Sequence, residues 1–114
     1  MLEINTREVG GITVLDLSGT LMLGRGSDSL GQRIKQLVAE QRLNIVLNVH
    51  EVSVIDSSGV GDLVAGFSLV KKAGGSIKLA LPSQLVREVL RIARISTIIE
   101  VYDTEEAALN AFAQ

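Results

Sequence analysis

The chain has 114 residues, room for one hydrophobic core and not two. Hydrophobic residues make up 46% and charged residues 21%, and 11 basic against 13 acidic side chains leave a net charge of −2, the balance of a globular domain. That balance and an aromatic content of 3% speak against base stacking and nucleic-acid binding, and the absence of cysteine excludes disulfides, thiolate metal sites and cysteine nucleophiles.

Residues 2–9 alternate in polarity, and 12–17 are again β-rich (Ile12-Thr13-Val14-Leu15-Asp16-Leu17). The Gly10-Gly11 pair between them predicts a β-hairpin whose second strand ends at Ser18-Gly19. Residues 20–26 read as irregular. Ser27 or Asp28 can cap a helix whose apolar stripe is Leu30, Ile34, Leu37 and Val38, ending near Arg42. Residues 43–49, Leu-Asn-Ile-Val-Leu-Asn-Val, are almost wholly apolar and predict a well-buried strand. A loop then leads to Asp56-Ser57-Ser58-Gly59-Val60-Gly61. From Val60 the apolar residues recur at helical spacing (Leu63, Val64, Phe67) to about Ala73, where Gly74-Gly75 stops the helix behind Lys71 and Lys72. Residues 76–81 predict a strand broken by Pro82. Ser83 can cap a helix with the face Val86, Val89, Leu90 and Ala93. Residues 98–102 predict a last strand, and Asp103 or Thr104 caps a final helix carrying Ala108, Leu109 and Phe112.

The order β-β-α-β-α-β-α-β-α predicts an α/β fold. A mixed β-sheet, an antiparallel hairpin followed by parallel β-α units, is packed with four helices in one domain over 1–114.

One stretch stands apart from the core pattern. Asp56-Ser57 begins a helix, so two hydroxyls and a carboxylate sit where backbone N–H groups lack intrahelical partners and the helix dipole favours negative charge. Such a place can carry a phosphate. Asp and Ser are also ordinary N-cap residues, so simple capping is the favoured explanation of the tetrapeptide taken on its own.

Other chemistry finds little support. His50 is the only histidine, and with Glu51 and Asp56 it makes no metal-ligand spacing, so no metal and no cofactor are expected. Ser57-Ser58-Gly59-Val60-Gly61 is not the Gly-x-Ser-x-Gly of a nucleophile elbow, and His50 lies in the same segment as Ser57 rather than being a base held apart; no enzyme activity is expected. Gly59-Val60-Gly61 and Gly24-Arg25-Gly26 form neither a dinucleotide fingerprint nor a P-loop, and close packing accounts for Gly59 and Gly61. No apolar run approaches the ~20 residues of a membrane span. The first residues lack a signal-peptide profile, and a cytoplasmic location without membrane contact is expected.

The sequence resembles the STAS domain family, and within it the bacterial anti-sigma factor antagonists. The resemblance rests on Val14-Leu15-Asp16-Leu17-Ser18-Gly19 with Leu21, on Ile45-Val46-Leu47-Asn48, and above all on Val54-Ile55-Asp56-Ser57-Ser58-Gly59-Val60-Gly61. Gly74-Gly75 before a strand and Val101-Tyr102-Asp103 followed by Glu105-Glu106-Ala107 complete it.

The resemblance implies a partner switch. In its unphosphorylated form the antagonist binds an anti-sigma factor that is also an ATP-dependent serine kinase, which frees a sigma factor for transcription. The kinase phosphorylates the serine after the aspartate, here Ser57, and a metal-dependent serine phosphatase reverses it. ATP and magnesium would belong to the kinase. Asp56 would orient the site and cap the helix, Ser58 would be the neighbouring hydroxyl, and Gly59 and Gly61 would keep the helix start open. Many antagonists carry an aspartate after the Gly-x-Leu that ends the second strand; here Gly19-Thr20-Leu21 is followed by Met22. The loop with Gly24, Arg25 and Gly26 is expected near Ser57, so the partner-contacting surface would differ. STAS domains also serve as modules in other signalling assemblies and as cytoplasmic domains of anion transporters, and a small-ligand binder of the same fold is a further alternative.

Overall fold

A computed structural model describes residues 2–22 and 27–112, with the side chains of all of these except 27 and 28. Gly10 and Gly11 have φ of +57° and +82°. Positive φ at both positions is what a two-residue hairpin turn of the favoured hand requires. It joins strand β1 (Leu2–Val9) to β2 (Ile12–Leu21), which pair antiparallel from Val9↔Ile12 to Leu2↔Gly19. Strands β3 (Asn44–Ile55), β4 (Ser76–Ala80) and β5 (Val101–Tyr102) then add in parallel, giving one five-stranded mixed sheet in the order β1-β2-β3-β4-β5.

Alternation along the strands sends two sets of side chains to opposite faces. Leu15, Leu17, Ile45, Leu47, Ile77 and Leu79 form a core with helices α1 (Ser27–Ala39), α2 (Ser57–Lys72) and α3 (Gln84–Ile92). The stripes Leu30, Ile34, Leu37 on α1 and Val86, Leu90 on α3 are buried as their spacing predicts. Val14, Val46 and Ala80 face the other way, where helix α4 (Glu105–Phe112) covers them with Ala108, Leu109 and Phe112. Ser83 Oγ accepts from Val86 N at 3.2 Å, and Thr104 rather than Asp103 takes the cap of α4, accepting from Ala107 N at 3.1 Å.

Four boundaries differ from the sequence expectation. Helix α1 ends at Ala39, not near Arg42, and β2 continues through Gly19 and Thr20 to Leu21. The expected loop after Val49 is strand: β3 runs on to Ile55. Its pairing with β2 slips twice. Asp16 and Ser18 face Asn48 and Glu51, and Gly19 and Thr20 face Val52 and Val54, so β3 carries an extra residue at each step. Each extra residue breaks the period of two. Val49, Val52 and Ile55 are consequently the buried positions, three apart, a spacing that does not read as a strand. The last strand is Val101–Tyr102 alone. Ile95–Thr97 is a turn of 3-10 helix, which buries Ile95 and Ile99 and leaves Ile98 exposed.

Candidate functional site at the start of α2

The bulged end of β3 runs directly into α2. Asp56 is extended (φ −110°, ψ −175°) and caps the helix, its Oδ1 accepting from Gly59 N at 2.9 Å while its carbonyl accepts from Val60 N at 2.9 Å. This satisfies one of the orphan amides of the first turn. Ser57 is the first helical residue and is exposed; Ser58 is half-buried. The two hydroxyls are therefore not equivalent, and Ser57 is the accessible one.

The end of β2 closes the site from the other side. Thr20↔Val54 and Leu21↔Ile55 are paired, and Asp56 N donates to the Leu21 carbonyl at 3.3 Å. The loop with Gly24, Arg25 and Gly26, expected near Ser57, and the proposed caps Ser27 and Asp28, lie outside the described residues or have no described side chain. Gly59 is buried against Leu21. A Cβ there would stand 2.2 Å from the Leu21 carbonyl oxygen and 2.9 Å from Ile55 Cγ1. Gly59 thus serves close packing, not an open helix start. Gly61 is the reverse: it is exposed, nothing lies within 4 Å of a Cβ built on it, and close packing does not account for it.

Beside Ser57 lies a feature that the motif does not contain. Ser57 and Val60 from α2 face Val89, Ile92 and Ala93 from the end of α3 across a shallow groove of about 280 Å³, with walls that are almost wholly apolar. Ile92 is 69% exposed. The signal in the sequence is that α3 carries two apolar stripes, Val86-Leu90-Ala93 and Leu85-Val89-Ile92, where one suffices to bury a helix. The face expected from the sequence, Val86, Val89, Leu90 and Ala93, takes in Val89 but leaves out Leu85 and Ile92.

His50 and Glu51 are exposed on β3 and pair with each other (3.7 Å), apart from the cap. Among the described residues no group of three or more His, Asp or Glu side chains is placed to hold a metal ion, and no helix is long and apolar enough to cross a membrane.

A model of the STAS domain family matches residues 3–108. The chain belongs to the STAS domain family. An anti-sigma-B factor antagonist from Bacillus subtilis is 33% identical over 72 residues, 63% of this chain and 66% of that relative. An anti-sigma F factor antagonist from Paenibacillus polymyxa is 26% identical over 109 residues, 95% of this chain and 92% of that protein. The solved structure of the Bacillus cell fate determinant SpoIIAA in its phosphorylated form superposes with a TM-score of 0.73 at 22% identity, covering 96% of this chain and 99% of the other. The STAS architecture of a five-stranded mixed sheet and four helices is the one found here.

Proposed function

We propose that this STAS domain is an anti-sigma factor antagonist, a regulatory binding protein and not an enzyme, whose binding is switched by phosphorylation of Ser57. The observation that carries the reading is the placement of Ser57: exposed, first in α2, directly after the Asp56 cap. The antagonist names of the relatives and the phosphorylated state of a structural neighbour support it.

In the unphosphorylated state the face around Ser57 binds a kinase-type anti-sigma factor in the cytoplasm. Phosphoryl transfer forms a bond from Ser57 Oγ to the γ-phosphorus of ATP held by the kinase, releases ADP, and passes the hydroxyl proton to a base of the kinase. The product carries about −1.5 to −2 charges at neutral pH. The helix N-terminus tolerates that charge. A partner surface does not: it would have to desolvate a dianion beside Asp56, and like-charge juxtaposition at an interface costs several kcal/mol. A serine phosphatase restores the binding form.

The test is reconstitution. The chain is incubated with a serine-kinase anti-sigma factor from its own cell and ATP, then analysed by intact mass and site mapping. One phosphate on Ser57, abolished by Ser57→Ala, with loss of the kinase complex on modification, is the expected result. Modification at Ser58 alone, or a complex that persists with Ser57 fully phosphorylated, sinks the switch.

A further inference from the structure

We infer that the outer edge of β1 pairs with β1 of a second copy of this chain, giving a two-fold dimer whose antiparallel junction is centred on Asn5. The surface lies on the far side of β2 from β3 and α2, so the inference stands apart from the reading of Ser57.

The two edges of the sheet differ. Strand β5 is two residues long, and so short an edge offers little for another strand to pair with. Strand β1 has eight residues and no proline, and it pairs with β2 without a slip from Val9 to Leu2. Among the described residues no strand covers its outer side. A long regular edge of this kind leaves a row of backbone N–H and C=O groups open to another strand.

The hairpin turn fixes which groups those are. Gly10-Gly11 is a two-residue turn, so its closing pair, Val9 and Ile12, exchange both backbone bonds. Bonding alternates from there. Val9, Arg7, Asn5 and Glu3 bond inward to β2, while Glu8, Thr6, Ile4 and Leu2 turn their backbone groups outward. Two copies can bond only where outward residues meet outward residues. The register that pairs the most of them sets Leu2 against Glu8, Ile4 against Thr6 and Asn5 against its own copy, as a two-fold axis requires.

The side chains agree with that register. Glu3 of each copy comes opposite Arg7 of the other, in the non-hydrogen-bonded pairs where side chains approach most closely. Glu3 has no ion-pair partner among the described residues, whereas Glu8 is held within its own chain by Arg42 and Thr13. Arg7 already binds Asp16 and Glu105, so Glu3 joins an existing network and sets the register more than it adds strength. Ile4, half-buried against the core, gains the β-branched Thr6 as a cross-strand neighbour. Junctions centred on Ile4 or on Thr6 would also satisfy the backbone, but they pair fewer residues and set Glu3 or Arg7 against Asn5.

The chain has no cysteine, so single cysteines can report the register. Across the axis the two Asn5 Cα atoms stand about 4.5 Å apart, within disulfide reach, whereas the two Thr6 residues are diagonal neighbours at about 7–8 Å. The experiment joins sedimentation equilibrium of the full chain and of Thr6→Pro with mild oxidation of Asn5→Cys and Thr6→Cys. Thr6→Pro removes an outward N–H, where an edge strand tolerates proline, and spares the bonds to β2. The wild type should dimerise with a dissociation constant below about 1 mM, and Thr6→Pro should weaken that at least about tenfold. Asn5→Cys should become a disulfide-linked dimer and Thr6→Cys should not. Should Thr6→Pro fail to fold, the cysteine pair decides alone. A wild-type chain that is monomeric at millimolar concentration, a folded Thr6→Pro that dimerises like wild type, or Thr6→Cys linking as readily as Asn5→Cys overturns the inference and leaves the Ser57 reading intact.

Discussion

The Cα of Gly59 faces the carbonyl oxygen of Leu21 so closely that a Cβ at residue 59 would sit 2.2 Å from that oxygen. The contact locks the first turn of α2 onto the end of β2, and the obstacle is backbone, which cannot rotate away. Gly59→Ala should therefore force the helix start off the sheet and destabilise the domain by about 1–3 kcal/mol or more, as overpacking does. Gly61→Ala, two residues on and facing open space, should instead stabilise by roughly 0.5–1 kcal/mol through better helix propensity. Urea unfolding of the two variants checks this. Equal effects of the same sign would mean that the contact with Leu21 does not decide the role of Gly59.

Asp56 and Ser83 each cap a helix by accepting from the amide three residues on, at 2.9 and 3.2 Å. If capping is all that Asp56 does, Asp56→Ala and Ser83→Ala should each cost about 0.5–2 kcal/mol. Asp56→Asn should recover most of the loss, since Asn caps as well as Asp. Denaturant midpoints for the three variants measure it. An Asp56→Ala protein as stable as wild type would place the role of the carboxylate at residue 56 with the partner, not the fold.

Much of this was legible in the chain because the core follows simple periods. Leu30, Ile34 and Leu37 recur at helical spacing and are buried together; the strand pairs around Gly10-Gly11 alternate and form the hairpin. The Asp56 cap followed an N-cap preference. What escaped lay where two elements meet. The two slips between β2 and β3 hide the second half of β3, since its buried residues are three apart. The apolar Ile98-Ile99 pair reads as strand, yet only Ile99 is buried, from the residues after a 3-10 turn. The groove needs α2 and α3 side by side. The network joining Arg7 to Glu105 spans 98 residues of chain and has no local signature.

A phosphate at Ser57 should leave the fold nearly untouched. The helix N-terminus contributes up to ~2 kcal/mol in favour of an anion, and the neighbouring Asp56 carboxylate opposes it. A net change within about 1 kcal/mol corresponds to a midpoint shift of roughly 4 °C for a domain of this size. Ser57→Asp should therefore melt within about 4 °C of wild type while losing its kinase partner. A variant that unfolds tens of degrees earlier would turn the switch into a folding defect.

The sheet face beneath α4 carries an ion pair that acid should weaken. Arg7 of β1 donates to Asp16 of β2 at 2.9 Å and to Glu105 at the start of α4 at 3.2 Å, and Asn48 of β3 donates to the same Glu105 at 3.1 Å. The Arg7 guanidinium, and then the Asn48 amide, hold the Glu105 carboxyl below the usual carboxylate range. A carboxyl depressed in the folded state contributes stability that is complete above its unfolded value of about 4.3 and is lost as pH falls through the folded value. Glu105→Gln should cost roughly 0.2–1 kcal/mol at pH 7, the scale of partly exposed ion pairs. The gap between variant and wild type should then close as pH drops below 4, because protonation removes from wild type what the substitution has already removed. Urea unfolding of both proteins from pH 7 down to pH 3 tests the sign. A gap that widens on acidification would mean that Glu105 is more easily protonated in the folded chain than in the unfolded one, the reverse of what its contacts with Arg7 and Asn48 require.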